Sequence, residues 1–363
     1  MDQVWQVLDG QVEAGRFPGY VAALRVRGRT RVRAGGRKAI NGESMREDTL
    51  FRIASISKPI GGALTLALIR DGVLDLDDPV SRWLPELAAP RVLTEPDAHL
   101  NQTVPAARPI TVRHLLTNTA GWGAVMSPTP LQRAMMARKV YPGPLPPPLT
   151  ADEFVARVAE LPLAFQPGAG FLYDTGIEVL GVLLTRATGK PLSDLLAERI
   201  TGPLGMASTA FWTDTPRRLA TAYQPGRNGL EVLDPPDGLF ADPPSVELLG
   251  AGLVSTADDL LRFFTAMADG GAPVLSAADV ALMTTDALTD EQRRSGEPIV
   301  GAHIGWGLGT GVEPSGRWGW SGGTGTTAFV DPTLDTVAVL LTQRGMAGPN
   351  DGFDDFVAAV TET

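Results

Sequence analysis

Strand-like segments lie at the two ends of this chain and hardly at all between them, and that distribution limits the fold more than any other feature. Residues 21–26 and 30–34 form two short runs separated at Gly28, the pattern of a hairpin. Residues 326–331 and 336–343 repeat it near the other end, around the turn Pro332-Thr333-Leu334-Asp335. Helical spacing brackets both: Val4, Leu8 and Val12 ahead of the first hairpin, and Phe353, Phe356, Val357 and Val360 after the second. One sheet built from both ends makes the middle an insertion. That middle is helix-rich and punctuated by proline. Thr150 and Glu153 have capping-box spacing and open a helix to about Leu161, and a second helix is expected over 255–267. Tyr141 to Pro148 reads as an extended connector. The expectation is an α+β sandwich of residues 1–74 and 249–363 carrying a mostly helical insertion, 75–248. A length of 363 residues agrees with two domains.

Composition removes several chemistries. The chain has no cysteine, so thiol nucleophiles, disulfides and Cys-based metal sites are excluded. Its three histidines, His99, His114 and His303, lack partner ligands at metal spacing, and His114 reads as a structural polar residue. No metal, nucleotide or other cofactor is expected. A net charge of −10 argues against nucleic-acid binding. The longest uncharged apolar stretch near the start, 59–69, is too short to span a bilayer, and no signal-peptide pattern opens the chain. The expectation is a soluble cytoplasmic protein acting on small molecules, with its oligomeric state open. Only four lysines occur, Lys38, Lys58, Lys139 and Lys190, so one in an apolar setting is notable.

Lys58 is in such a setting. The segment Ser55-Ile-Ser-Lys58 precedes an apolar run, residues 60–69, that reads as a buried helix starting near Ser55, with Pro59 in its first turn. Positions i and i+3 share a helix face, which sets the Ser55 hydroxyl beside the Lys58 amine. Burial favours the neutral amine, which can accept a proton. Ser321 competes as nucleophile, because Gly319-Trp-Ser-Gly-Gly323 fits Gly-x-Ser-x-Gly. That motif needs a later histidine, and all three histidines precede it. The glycines there are better read as letting a strand approach a substrate closely.

With these residues in place, the chain resembles the serine β-lactamase and penicillin-binding-protein superfamily, most closely the class C-like branch with family VIII carboxylesterases. The likeness also includes Gly72-Val-Leu-Asp-Leu-Asp-Asp-Pro-Val-Ser81, Thr111-Val-Arg-His-Leu-Leu-Thr-Asn-Thr-Ala-Gly121, Pro203-Leu-Gly-Met206, Gly252-Leu-Val-Ser-Thr-Ala257 and Leu275-Ser276. It implies a β-lactamase-like sandwich with a central antiparallel sheet, and Ser55 as the acyl-forming nucleophile. It further implies that Tyr173, in Tyr173-Asp174-Thr175, works with Lys58 on the proton of Ser55. The resemblance puts the oxyanion hole at the backbone N–H groups of Ser55 and Gly323, and substrate contacts at Trp320, Ser321, Gly322 and Thr175. Trp122 is a candidate pocket wall or an ordinary core aromatic. Two departures favour esters over β-lactams. Thr175 stands where lactam-cleaving members carry Asn, and Trp320 stands where they carry a basic residue. The implied activity is ester hydrolysis through an acyl-enzyme on Ser55. The alternatives are an acyltransferase passing the acyl group to an alcohol or amine, a β-lactamase or peptidase, and a non-catalytic binding protein.

Overall fold

The computed structural model describes residues 1–348 and 351–362. Among the described residues its main sheet has seven strands, β1 (Gly19–Val26), β2 (Arg29–Gly36), β3 (Gly305–Trp306), β4 (Gly311–Val312), β5 (Trp318–Gly322), β6 (Thr326–Asp331) and β7 (Thr336–Thr342), and three two-stranded ribbons lie outside it. The seven lie in the order β2-β1-β7-β6-β5-β4-β3, every neighbouring pair antiparallel. The sheet therefore closes the two chain ends on each other, with Tyr20 opposite Thr342 and Val26 opposite Thr336. Arg27 and Gly28 both take positive φ (49° and 76°), which suits the two-residue turn of the first hairpin. Arginines on the exposed edge strand β2 discourage further pairing, and Arg33 is tied to Asp9 at 2.6 Å.

Period-two alternation sends successive side chains to opposite faces. Tyr20, Ala22, Leu24, Ala338 and Leu340 pack beneath α1 (Asp2–Glu13) and the C-terminal helix Asp354–Thr361. Val21, Ala23, Val337, Val339 and Leu341 face a larger core. That core takes in the helices α2 (Ser57–Arg70), α3 (Ala151–Ala159), α4 (Thr175–Thr188) and α5 (Ala257–Ala268). The cluster runs without a break from Val339 through Leu64 to Phe154 and Val155. The boundaries expected near residues 74 and 249 are thus not marked by a gap in packing. The capping box at Thr150 is present, and His114 makes another with Thr111, a structural role. Residues 141–148 hold no helix or strand.

A buried arginine fixes the approach to Ser55. Residues Phe51–Arg52 pair with Val254–Ser255, and the Ile53 N–H donates to Leu253 O at 3.0 Å. Arg52 donates to Asp234 Oδ2, Ala220 O and Pro235 O, each at 2.6 Å. Both charged side chains are under 5 % exposed. Removing one partner of such a pair strands the other charge in a dry interior. Arg52→Ala is expected to cost about 3–5 kcal/mol. Urea unfolding monitored by tryptophan fluorescence checks this, and a loss below about 1 kcal/mol would contradict it.

Candidate active site

The chain enters α2 through a single 3-10 turn, Ala54–Ile56, whose first residue takes φ 41°. A left-handed alanine costs roughly 1 kcal/mol, and its neighbours hold it there. Thr324 Oγ1 donates to Arg52 O at 2.5 Å and Thr326 Oγ1 to Ile53 O at 3.1 Å. Gly322 brings the sheet close: a Cβ there would lie 2.3 Å from Ile53 O. The glycine at 322 thus serves an approach to the protein's own backbone.

This bend presents Ser55 to a cavity and leaves Lys58 at the base. Lys58 is 0 % exposed. Its Nζ reaches Ser55 Oγ at 2.9 Å, Asp174 Oδ1 at 2.5 Å and Gly250 O at 2.9 Å, and lies 4.5 Å from the Tyr173 ring centroid. Burial works against its charge. The Asp174 carboxylate foremost, with Tyr173 and Glu178, outweighs that penalty and holds the ammonium above the ordinary lysine range. The neutral buried amine expected from the sequence is therefore corrected: an ion-pair partner is present.

Tyr173 is half-buried. Its Oη accepts from Trp320 Nε1 at 2.5 Å, and its ring packs edge-on to Trp306 at 5.7 Å. Trp306 in turn donates to Leu116 O at 3.0 Å, so the aromatic cluster is anchored in the core. Burial pushes the phenol up, Lys58 pulls it down, Asp174 pushes it up, and the contacts from Ser55 and Trp320 favour the ionised form; the balance is upward.

Asp174 stands at the start of α4 with φ 89° and ψ −66°. That is the γ-turn region, costly for a residue with a Cβ. Its N–H donates to Asn118 Oδ1 at 3.0 Å, which helps hold the turn. Glu178, one turn along α4, is 4 % exposed and accepts from Gly250 N at 2.9 Å. Burial first, then Asp174, pushes its carboxyl up to about 8.

The cavity measures about 700 Å³ and is lined by Ser55, Tyr173, Asp174, Trp320, Ser321 and Gly323, among others. Residues 141–144 form part of its wall, so the proline-rich connector also shapes the site. Ser321 donates to Thr327 Oγ1 at 2.9 Å and has no base beside it among the described residues. Gly323 O accepts from Met346 N at 2.9 Å. Trp122 is not on the wall. It is 1 % exposed, and its Nε1 donates to Leu161 O at 3.3 Å, which makes it a core residue. Gly322 and Thr175 are likewise buried beside the cavity rather than lining it. Asp174, Glu178 and Trp306 carried no functional signal in the sequence reading.

An antiparallel sheet with helices, and a serine and lysine one turn apart where a 3-10 turn enters a buried helix, facing a tyrosine, define a β-lactamase-fold enzyme of the serine hydrolase and acyl-transfer class. The chain belongs to the family described as Beta-lactamase, whose profile matches residues 4–362. It is 39 % identical over 328 residues to Protein Rv1367c of Mycobacterium tuberculosis, covering 84 % of this chain and 79 % of that one. It is 34 % identical over 352 residues to Esterase EstB of Burkholderia gladioli, covering 85 % and 81 %. Among solved structures it is similar to EstCE1, described as a hydrolase with promiscuous acyltransferase activity. That match has a TM-score of 0.85 and 27 % identity over 99 % of this chain and 97 % of the other. Among the described residues, no helix is long and apolar enough to cross a membrane.

Proposed function

We propose that the protein is a serine carboxylesterase that acts on neutral, largely apolar small-molecule esters through an acyl-enzyme on Ser55. The observation that carries this reading is the Ser55–Lys58–Tyr173 cluster opening onto a cavity that, among the described residues, holds no unpaired cation. Arg317, on the cavity wall, is tied to Glu313 at 2.8 Å, and Lys58 is paired with Asp174. Trp320, where lactam-cleaving relatives carry a basic residue, offers an aromatic face to an acyl or alcohol group. Ser55 Oγ attacks the ester carbonyl while its proton passes into the Lys58–Tyr173 pair. The N–H groups of Ser55 and Gly323 receive the developing oxyanion. The alkoxide leaves with the proton, and water then releases the acid. The likeness to an esterase of 34 % identity supports the same reading.

Acyl transfer to an alcohol is the second reading, supported by the printed description of EstCE1. Hydrolysis of p-nitrophenyl butyrate with and without added alcohols tests the two. Free butyrate as the main product supports the esterase, and ester of the added alcohol dominating at low acceptor concentration supports the transferase. No turnover of any neutral ester would contradict both. The paired cations also predict selectivity. Esters bearing a free carboxylate on the acyl group should show kcat/KM at least about tenfold lower than uncharged esters of equal size, roughly 1.4 kcal/mol of transition-state binding. Equal values would contradict the charge argument.

A further inference from the structure

The chain has nine methionines and no cysteine, so every sulfur it offers to an oxidant is a thioether. Most are out of reach. Met45, Met135, Met206, Met267 and Met283 are buried, whereas Met126 and Met136 are each 52 % exposed. Of that exposed pair, Met126 stands on the wall of the catalytic cavity and Met136 lies off it. We infer that Met126 is an oxidation site, and that a hydroperoxide converting its thioether to the sulfoxide weakens the cavity's hold on apolar esters while leaving the chemistry at Ser55 intact. The effect on esters rests on the esterase reading above; the oxidation does not.

The backbone leading into Met126 holds it in that wall. The Ala124 N–H donates to Tyr173 O at 2.9 Å. Val125 O accepts from Gln132 Nε2 at 2.8 Å and from Tyr141 Oη at 3.1 Å. The loop is thus tied both to the segment of the catalytic tyrosine and to the proline-rich connector. Ala124, Tyr141, Ile299, Val300 and Ile304 line the same cavity and give it an apolar side. A thioether suits such a wall, because it is flexible, polarizable and asks for no hydrogen bond. A sulfoxide oxygen asks for one. Pro142 and Pro144, also on the wall, have no N–H to give, and the Tyr141 hydroxyl already donates to Val125. The sulfoxide therefore keeps water, which an alkyl group packing there must displace.

In the oxidation step a lone pair of Met126 Sδ attacks the terminal oxygen of the hydroperoxide. The S–O bond forms as the O–O bond breaks, and the other oxygen leaves with the hydroperoxide's proton, as water from hydrogen peroxide or as an alcohol from an organic hydroperoxide. The sulfur gives up an electron pair and the peroxide gains it. Methionine sulfoxide can be reduced again, so the change is reversible.

The test treats the full-length protein with graded hydrogen peroxide. Peptide mass mapping reads which methionines gain an oxygen, and KM and kcat are measured on p-nitrophenyl acetate and p-nitrophenyl octanoate. Met126 and Met136 should be oxidised before the five buried methionines. As Met126 converts, KM for the octanoate should rise about fivefold or more, with kcat and the acetate KM unchanged within about twofold. Met126→Leu keeps the wall apolar and should lose the response, Met136→Leu should keep it, and a methionine sulfoxide reductase should restore the low KM. Met126 oxidised no faster than the buried Met135 would overturn the inference. So would a Met126→Leu enzyme that shifts as far as the wild type, a result that would move the effect to Met346, which also lines the cavity. Untreated protein that turns over neither ester would instead remove the esterase reading, and the peptide map would still decide whether Met126 is the oxidation site.

Discussion

Ser55→Ala is expected to lower kcat on p-nitrophenyl butyrate by about 10⁴-fold or more while leaving KM within a few-fold. The hydroxyl is the only group removed; it accepts from Lys58 Nζ and contacts the Tyr173 phenol. The cavity wall is otherwise unchanged, so ground-state binding should persist. Stability should change by less than about 1 kcal/mol, because Ser55 is only half-buried and Lys58 retains Asp174 and Gly250. A large activity loss at unchanged stability separates a nucleophile from a structural serine. The competing motif serine gives the control. Ser321→Ala removes a bond to Thr327 and should retain most activity, since no base lies beside it among the described residues.

Lys58→Met has the second large effect, and it acts on two properties at once. Methionine nearly preserves the volume of the buried chain but deletes the charge. Asp174 is then left as a buried anion without its counter-ion, which costs about 3–5 kcal/mol in comparable cases. Activity should fall by about 10³-fold or more, because proton transfer from Ser55 loses the ammonium that touches its hydroxyl and lies 4.5 Å from the Tyr173 ring. Adding Asp174→Asn separates the two effects. The double variant carries no isolated charge, so it should recover most of the lost stability in urea unfolding while its activity stays lost. A double variant as unstable as Lys58→Met would mean that packing, and not the ion pair, sets the cost.

The parts of the fold visible in the sequence are those with a local period. The short strand-like runs 21–26, 326–331 and 336–343 announce the strands, and the small turn at Gly28 announces the hairpin. The strands β3 and β4 are two residues each, too short to show any alternation, and so the aromatic Trp306 they position went unread. The site divides in the same way. Ser55 and Lys58 are three residues apart, across the 3-10 turn that leads into α2, so their contact follows from local helical geometry. Tyr173 could be named only through a resemblance, because nothing local ties it to Lys58. Asp174 meets Lys58 across 116 residues and through a strained turn, and neither leaves a trace in spacing. Glu178 lies on the continuous buried face of α4, where the surrounding apolar residues read simply as core. Trp122 was open between pocket wall and core aromatic, and its indole N–H, satisfied inside by Leu161, places it in the core.

The reading of the site turns on a covalent bond between Ser55 and an acyl group, and rapid-quench mass spectrometry of the intact protein during turnover of p-nitrophenyl butyrate detects it directly. The expected result is a transient species heavier than the free enzyme by one butyryl group, mapped by peptide digestion to Ser55 and absent from Ser55→Ala. Steady turnover that still occurs in Ser55→Ala, or an adduct mapped to any other residue, would contradict the account.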